Sequence, residues 1–393
     1  MKVLPPIWII VLIVGLPQFS ETIYTPSLPD IATNFQTSPS NVEYTLTIFL
    51  FGLALGVIFW GTLSDRIGRK PCVLLGILLF IFGCIGCYIS DSIETLMLSR
   101  FVQSLGCSIG TVLGQTISRD AFSGPNLGKT FATIGIALSV FPAIGPTIGG
   151  FIAKHTHWSN IFLVLILFGI FLMVTIYYRL PETLDKTKIS KISLFEAVRI
   201  LSKDKRVILY GIIIGCINGI SFSYFSEGSF FMLDMLKMNP LHYGTSFILL
   251  SVAAVLGGIT SKRLQDSYSS KHVMDLGILI NLVSNGIFTL LIVFHYFILT
   301  IDSQLIVYVS LFMRMISVFG GCMIITNGLA LSLIDYKNYI GTASSIFGLF
   351  YYLLISFFTF LIGYLHNGTL FVMPIYFLVL SVVILICSRK ITN

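Results

Sequence analysis

Four ionisable side chains interrupt long apolar stretches of the sequence and are the first candidates for chemistry. They are Glu21, Arg100, Glu227 and Arg314. A charge within a membrane-length apolar run is costly to bury, so such residues usually mark an ion or substrate path. A buried carboxylate can take up and release a proton, and a buried guanidinium can pair with a carboxylate-bearing ligand. These residue types therefore favour reversible binding of a proton or of a charged small molecule.

The stretches that carry these charges are long enough to cross a lipid bilayer. The chain has 393 residues, of which 55% are hydrophobic and 10% are charged, and its mean hydropathy is +0.93. Soluble proteins carry about 25% charged residues, so this composition excludes a soluble enzyme, a secreted disulfide scaffold and a disordered protein. A transmembrane helix needs about 20 apolar residues. Twelve runs meet this requirement: 6–28, 42–63, 71–90, 95–118, 128–153, 158–180, 207–233, 241–261, 273–299, 304–330, 340–364 and 368–388.

Short polar connectors between these runs carry almost all the remaining charge. With the N-terminus inside, 20 of the 24 Lys and Arg residues lie on the cytoplasmic side, and Lys154 and Lys237 lie on the other. This asymmetry is typical of membrane proteins and predicts that both termini are cytoplasmic. The net charge of +7 therefore indicates topology and no nucleic-acid partner. Because the alternating segments of a β-barrel do not occur, we predict an all-α membrane protein embedded in a lipid bilayer.

No pattern in the sequence indicates a cofactor, a metal site or catalysis. Seven Cys residues lie within or at the ends of the runs, and an odd number within lipid argues against a disulfide framework. Cys84 and Cys87 have no neighbouring His or carboxylate, so close helix packing explains them. A phosphate-binding Walker loop is also missing from the sequence. We therefore predict neither an enzyme nor an ATP-driven pump.

The longest polar connector, 181–206, separates six runs from six. It predicts an N-terminal six-helix bundle at 1–180 and a C-terminal six-helix bundle at 207–393. Weak internal repeats support this division: Phe19-Ser20-Glu21 recurs at 225–227, Arg100 and Gly106 recur as Arg314 and Gly320, and Gly128 and Gly135 recur as Gly341 and Gly348. Two parallel repeats of this kind are typical of transporters. The four charges fall in spans 1, 4, 7 and 10, the first spans of four three-helix units.

Three motifs resemble those of the major facilitator superfamily, and the resemblance covers essentially the whole chain. The connector between spans 2 and 3 reads Gly61-Thr-Leu-Ser-Asp65-Arg66-Ile-Gly68-Arg69-Lys70. Span 4 carries Arg100-Phe-Val-Gln103-Ser-Leu-Gly106. Span 5 carries Gly145-Pro146-Thr-Ile-Gly149-Gly150, which is similar to the motif of exporters in that superfamily. Three further segments, which begin at Tyr24, Pro181 and Gly341, resemble the bicyclomycin-resistance branch of drug:proton antiporters.

The resemblance implies a gating role for the first motif. Gly68 permits a tight turn, Asp65 is expected near the N-terminal end of span 11, and Arg69 is expected to reach Asp120 at the end of span 4. A topology signal alone would explain Arg66 and Arg69 but not Asp65, because acidic residues contribute little to orientation. The Gly-Pro cluster of span 5 is expected to form a packing seam against another span, with an ordinary kink in a lipid-facing helix as the alternative.

In the resembling fold, the charged spans line a central cavity. We predict that the four buried charges lie there together with Tyr24, Tyr224 and Gln103. Glu21 is the first candidate for the proton-coupling group and Glu227 is the second. Two alternatives stay open, since Arg100 could snorkel to the interface and Glu227 could be solvated. Members of the branch often carry an acid at the position of Thr22, which is one residue, or about 100° of helix rotation, from Glu21.

The sequence thus predicts a monomeric multi-pass transporter of a bacterial inner membrane that exports small amphipathic compounds in exchange for protons. Two acids beside aromatic rings suit a lipophilic cation, whereas two arginines in the same cavity equally suit a carboxylate-bearing substrate. One alternative is a dedicated metabolite or siderophore carrier, acting in export or import. Another is a transporter-like sensor or lipid scramblase.

Overall fold

The computed structural model describes residues 4–184, 194–297, 303–336 and 340–391. In these residues, twelve helical segments are long and apolar enough to cross a membrane. This confirms the predicted all-α fold with twelve spans. Part of the predicted connector 181–206 lies outside the described residues, as do Lys2 and Lys337 of the topology argument.

Most of the described spans are single α-helices. They are spans 2 (Pro39–Ile67), 3 (Arg69–Tyr88), 5 (Gly124–His155), 6 (Asn160–Arg179), 8 (Pro240–Leu264), 9 (Ser270–Phe297), 10 (Ser303–Ser332), 11 (Ile340–Leu365) and 12 (Val372–Lys390). Spans 1, 4 and 7 are interrupted. Span 1 comprises Ile7–Thr22, the 3₁₀ turn Thr25–Ser27 and Leu28–Asn34; span 4 comprises Ile93–Cys107 and Ile109–Ala121; span 7 comprises Lys205–Ser229 and the π-helical turn Phe230–Met235. A short helix, Leu194–Leu201, precedes span 7.

Polar caps extend several helices beyond the apolar runs. The Ser38 hydroxyl accepts the N–H of Asn41 at 3.3 Å, and Pro39 opens span 2. A side-chain acceptor followed by Pro is a common helix start. Span 2 therefore begins three residues before the predicted run, and Glu43 lies in its second turn instead of at its margin.

Glycines bring equivalent spans together in the two halves of the chain. A Cβ built on Gly106 of span 4 would lie 2.7 Å from the carbonyl oxygen of Gly76 in span 3, and one on Gly320 of span 10 would lie 2.7 Å from that of Gly277 in span 9. Gly106 and Gly320 are the pair that the internal repeat relates. The buried apolar residues also form two clusters, one drawn mainly from residues before 181 and the other from residues after 196.

The two membrane faces of the protein differ in charge and in closure. We call the face with Asp65–Lys70, the connector after span 6 and the end of span 12 the basic face, and the other the opposite face. On the opposite face the halves touch: the rings of Tyr44 and Phe360 stack at 5.1 Å between centroids, and the Ser356 hydroxyl donates to the Thr47 carbonyl at 3.0 Å.

Candidate functional site: a cavity between the halves and three buried polar clusters

A cavity of about 1100 Å³ lies between the halves on the basic face. Its outer wall includes the loop residues Asp65 and Arg66 from one half and Ile340 from the other. Its inner end reaches the middle of spans 1 and 11, at Gln18 and Tyr352. Because the halves touch on the opposite face, the structure is open on the basic face and closed on the opposite face.

The loop between spans 2 and 3 is held by Arg69. Its Nη1 donates to Asp65 Oδ1 at 2.6 Å and to the Ser64 hydroxyl at 2.8 Å, and its Nε donates to Asp120 Oδ2 at 2.9 Å. The contact to Asp120 is the one that the family resemblance implies. Gly68 has a φ of +108°, which favours glycine. Asp65 and the first residues of span 11 line the same cavity, and the gating role of the loop stays a prediction.

A residue from beyond span 6 completes this loop. The carboxylate of Glu182 accepts the backbone N–H of Arg69 at 2.9 Å and that of Lys70 at 3.1 Å, so it caps the N-terminus of span 3 from a distance. Partial burial acts to raise the pKa of Glu182, but these two bonds and those from Thr183 and Leu184 outweigh burial and hold its pKa below the usual value. The segment that begins at Pro181, which was singled out by its sequence resemblance, therefore also stabilises the start of span 3.

The glycine cluster of span 5 packs against two different spans. Cβ atoms built on Gly145 and Gly149 would collide with Thr22 and with the carbonyl oxygen of Ile23 in span 1, and one on Gly150 would lie 2.5 Å from the carbonyl oxygen of Pro240 in span 8. Pro146 belongs to the same seam, because a Cβ on Gly244 of span 8 would collide with its carbonyl oxygen. The cluster is therefore a seam between helices, and its part in conformational change stays a prediction.

Arg100 is the centre of the first buried cluster. Its side chain is fully buried, so it does not snorkel to the interface. The guanidinium lies 4.1 Å from the ring centroids of both Tyr24 and Phe49, and its Nη1 donates to Gln103 Oε1 at 2.6 Å and to the Ser20 carbonyl at 3.2 Å. Its Nε and Nη2 have no hydrogen-bond partner in the described residues.

Glu21 belongs to the same cluster without touching Arg100. The two interact electrostatically, but no ion pair within 4.0 Å joins them in the described structure. Glu21 is 1% exposed, and its Oε1 has no partner among the described residues. Tyr352, which lines the cavity, also lies within electrostatic range of Glu21. Glu21 is therefore a buried acid just beyond the inner end of the cavity.

Arg314 is the centre of the second buried cluster. Its guanidinium lies 5.0 Å from the ring centroid of Tyr224 and 5.4 Å from that of Phe377. The only hydrogen bond from its side chain to another described residue is a long one, 3.5 Å, to the Ser317 hydroxyl. The hydroxyl of Tyr224 has no partner among the described residues. Each half thus holds a buried arginine between two aromatic rings.

The predicted cavity residues do not reach the cavity surface in this state. The described lining includes none of the seven, which are Glu21, Tyr24, Arg100, Gln103, Tyr224, Glu227 and Arg314. All seven are buried. Gln103, predicted to face a ligand, is instead bonded to Arg100 and donates to Cys84 Sγ at 3.0 Å.

Glu227 lies in a third cluster that the sequence analysis missed. It is fully buried, so the solvated alternative is wrong, and its Oε2 lies 2.8 Å from His366 Nδ1. Glu43 of span 2 lies 3.6 Å from the same nitrogen. Two acids and a His are residue types that can hold a metal ion. Glu43 is the second residue of the predicted apolar run 42–63, and this position could have marked it as a further buried charge. His366 lies in a connector, so the sequence gave no sign that it is part of a site.

Comparisons with known proteins agree with this architecture. The Major Facilitator Superfamily profile matches residues 10–359. An uncharacterized transporter of Rickettsia bellii is 35% identical over 382 residues, which cover 96% of this chain and 94% of the relative. The bicyclomycin resistance protein homolog of Haemophilus influenzae is 29% identical over 272 residues, 68% of each chain.

A solved structure shows the same fold at low sequence identity. The xylose transporter XylE from E. coli, in a partially occluded inward open conformation, superposes with a TM-score of 0.75 at 12% identity, over 98% of this chain and 97% of that one. The fold, the loop motif and the match over most of its length identify the chain as a transporter that belongs to the major facilitator superfamily and resembles its bicyclomycin-resistance branch.

Proposed function

We propose that this transporter is a proton-coupled antiporter that exports small amphipathic compounds by alternating access. The observation that carries the proposal is the buried carboxylate of Glu21, which lies just beyond the inner end of a cavity open on the basic face. The strong Lys and Arg bias makes the basic face cytoplasmic. The proposal also includes a bacterial inner membrane as the location and a monomer as the functional unit.

Glu21 supplies the coupling in this proposal. A carboxylate away from water is unfavourable when charged, and the nearby guanidinium of Arg100 opposes this effect. A change in hydration as the cavity opens and closes therefore changes the charge of Glu21. If a cationic substrate and a proton compete for this one carboxylate, export of one requires entry of the other.

Aromatic rings and the named relative support an amphipathic substrate. Tyr351 and Tyr352 line the inner end of the cavity, where they can contact apolar surface and a positive charge together. The relative from Haemophilus influenzae is named as a bicyclomycin resistance protein homolog. We therefore propose that this chain exports drugs, which are small amphipathic compounds.

The test uses whole cells and purified protein. Cells that express the wild type should accumulate less of a fluorescent cationic dye, and an uncoupler should abolish the difference. Glu21→Gln should still bind the dye, without pH dependence, and should lose proton-driven export, whereas Glu94→Gln, on the exposed opposite face, should export normally. Normal export and unaltered proton flux in the Glu21 variant would refute its coupling role.

A dedicated carrier of a carboxylate-bearing metabolite is the second candidate. It is favoured by the buried guanidinium groups of Arg100 and Arg314, each of which keeps a nitrogen without a partner among the described residues. Guanidinium groups bind carboxylates in two-point contacts. A screen of anionic metabolites and of cationic dyes, read as thermal stabilisation of the purified protein, separates the two candidates.

A further inference from the structure

Glu43, Glu227 and His366 form a cluster that joins the two halves on the opposite face. Glu43 belongs to span 2 in the first half. In the second half, Glu227 lies in the last turn of the α-helical part of span 7, and His366 follows span 11. One oxygen or nitrogen from each residue lies within 4.8 Å of the other two. The stacked rings of Tyr44 and Phe360 lie beside this contact, so the cluster is part of the contact between the halves that closes the opposite face.

The cluster leaves buried oxygens without hydrogen-bond partners. Both carboxylate oxygens of Glu43 and Oε1 of Glu227 are buried and accept no well-formed hydrogen bond from the described residues, and the two carboxyl groups face each other closely enough to share a proton. Both glutamates are fully buried, whereas the His366 side chain is 10% exposed. A Cβ on Gly363 would lie 3.2 Å from Glu43 Cβ, so span 11 packs directly on this carboxylate. Burial so close together is unfavourable for two negative charges.

Few other titratable or charged groups face the cluster. Tyr44, beside Glu43 on span 2, interacts electrostatically with it. Asp234, in the turn that ends span 7, interacts with His366. The Ser226 hydroxyl of span 7 faces Glu43, and the ring of Phe230 meets the His366 ring edge-on at 5.6 Å between centroids. In the described residues, no Lys or Arg lies within 4.0 Å of either glutamate, so a proton or another cation must balance their charge.

The spacing favours a proton over a metal ion. His366 Nδ1 and Glu227 Oε2 are 2.8 Å apart, which is a hydrogen-bond distance. Two ligands of one tetrahedral zinc ion, each about 2.0–2.2 Å from the metal, would be held roughly 3.3–3.5 Å apart. A cluster without net charge holds two protons, one in the hydrogen bond between His366 and Glu227 and one on Glu43.

We propose that Glu43, Glu227 and His366 form a second proton-binding site, which locks the opposite face closed while it holds its proton and releases it to the outside when that face opens. Opening separates Glu43 from the other two residues and admits water. Hydration then favours the ionised carboxylates, whose mutual repulsion resists closure until a proton returns. This proposal rests on the proposed function for its role in coupling, but the lock itself requires only that the face open and close.

The test measures closure of the opposite face as a function of pH. Spin labels at the exposed positions Asp91 and Asn367, one in each half, report the distance between the halves by pulsed electron paramagnetic resonance in nanodiscs. One coupled proton changes the ratio of closed to open protein by up to about tenfold per pH unit. We expect the wild type to open as pH rises, and Glu43→Gln, which keeps the shape of a protonated acid, to stay closed at every pH.

Two further variants keep this test decisive. His366→Gln removes the partner of Glu227 and leaves Glu43 unsubstituted. It should shift the pH midpoint of opening, and it tests the proposal even if the Glu43 variant fails to fold. Glu94→Gln changes an exposed acid of the opposite face outside the cluster and should keep the wild-type pH dependence. An unaltered pH dependence in both Glu43→Gln and His366→Gln would overturn the proposal.

A zinc titration and the export assay separate the remaining outcomes. If micromolar zinc chloride closes the wild type at high pH, but does not close His366→Gln, the cluster is a metal site and the proton lock is wrong. If zinc has no such effect, the proton assignment stands. An export rate that is unaffected by an uncoupler would refute the proposed antiport. The pH dependence of closure would still support the proton lock at Glu43, Glu227 and His366.

Discussion

Substitution of Gly150 offers a direct test of how the seam between spans 5 and 8 controls access. A Cβ at this position would lie 2.5 Å from the carbonyl oxygen of Pro240 and 3.3 Å from the Cα of Gly244. Since non-bonded heavy atoms are comfortable at about 3.5 Å, Gly150→Ala must push span 8 away by roughly 1 Å. These contacts join the two halves near the opposite face, so the substitution disfavours the state that is closed there.

The size and the sign of the effect follow from this geometry. Overpacking a tight contact costs about 1–3 kcal/mol, which changes a two-state ratio by about 5- to 150-fold. We therefore expect Gly150→Ala to shift the protein towards the form that is open on the opposite face. The spin-label pair at Asp91 and Asn367 should report a longer distance, and the cavity on the basic face should become less accessible to a water-soluble thiol reagent at an introduced Thr342→Cys.

A matched control lies in the same helix. A Cβ on Gly128 would meet nothing within 4 Å, so Gly128→Ala should leave the distance unchanged and should stabilise the helix by about 0.5–1 kcal/mol. If Gly150→Ala and Gly128→Ala give the same distance distribution as the wild type, the seam does not bias access. The inference that a methyl group at residue 150 pushes spans 5 and 8 apart would then be refuted.

Three further predictions concern the basic face. Asp65→Asn should leave expression and ligand binding nearly intact but slow export, measured as initial dye efflux; a wild-type rate would contradict the gating role of the loop. Glu182→Ala should lower the melting temperature, because loss of a helix cap costs about 0.5–2 kcal/mol; an unchanged melting temperature would show that the cap is dispensable. Because the folded-state pKa of Glu182 is depressed, its stabilisation is present above the unfolded-state pKa and is lost as pH falls through the folded-state value, so the wild-type advantage over Glu182→Ala should shrink in acid. Gly68→Ala should be destabilising, since its φ is +108° and a Cβ would lie 2.6 Å from Glu182 Oε2; melting as high as the wild type would refute this strain.

Much of the architecture could be predicted because it depends on local sequence. Crossing a bilayer requires a helix of fixed length whose backbone satisfies its own hydrogen bonds, and this requirement is visible in any apolar run of about 20 residues. Twelve such runs gave twelve spans. The prediction of topology, which stays a prediction, uses the same kind of local information, because it counts Lys and Arg in short connectors. The loop of Asp65 and Arg69 was predictable as well, because its contacts join residues at the ends of neighbouring spans.

The surroundings of the buried charges could not be predicted in this way. The internal repeat makes Glu21 and Glu227 equivalent in sequence, yet the structure places one near Arg100 and the other beside Glu43 and His366. The partners of Glu227 come from span 2 and from the connector after span 11, which meet because the two halves close on the opposite face.

The sequence by itself determined the number of spans, their charge bias and the identity of the costly charges within them. Only the tertiary structure decided which charges meet, that Glu182 caps span 3, and which face is open. The physical reason is that desolvation acts on each residue of a span separately, whereas partnership depends on which helix faces pack together. That packing is set by close contacts such as the one between Gly150 and Pro240, which join residues far apart in the chain.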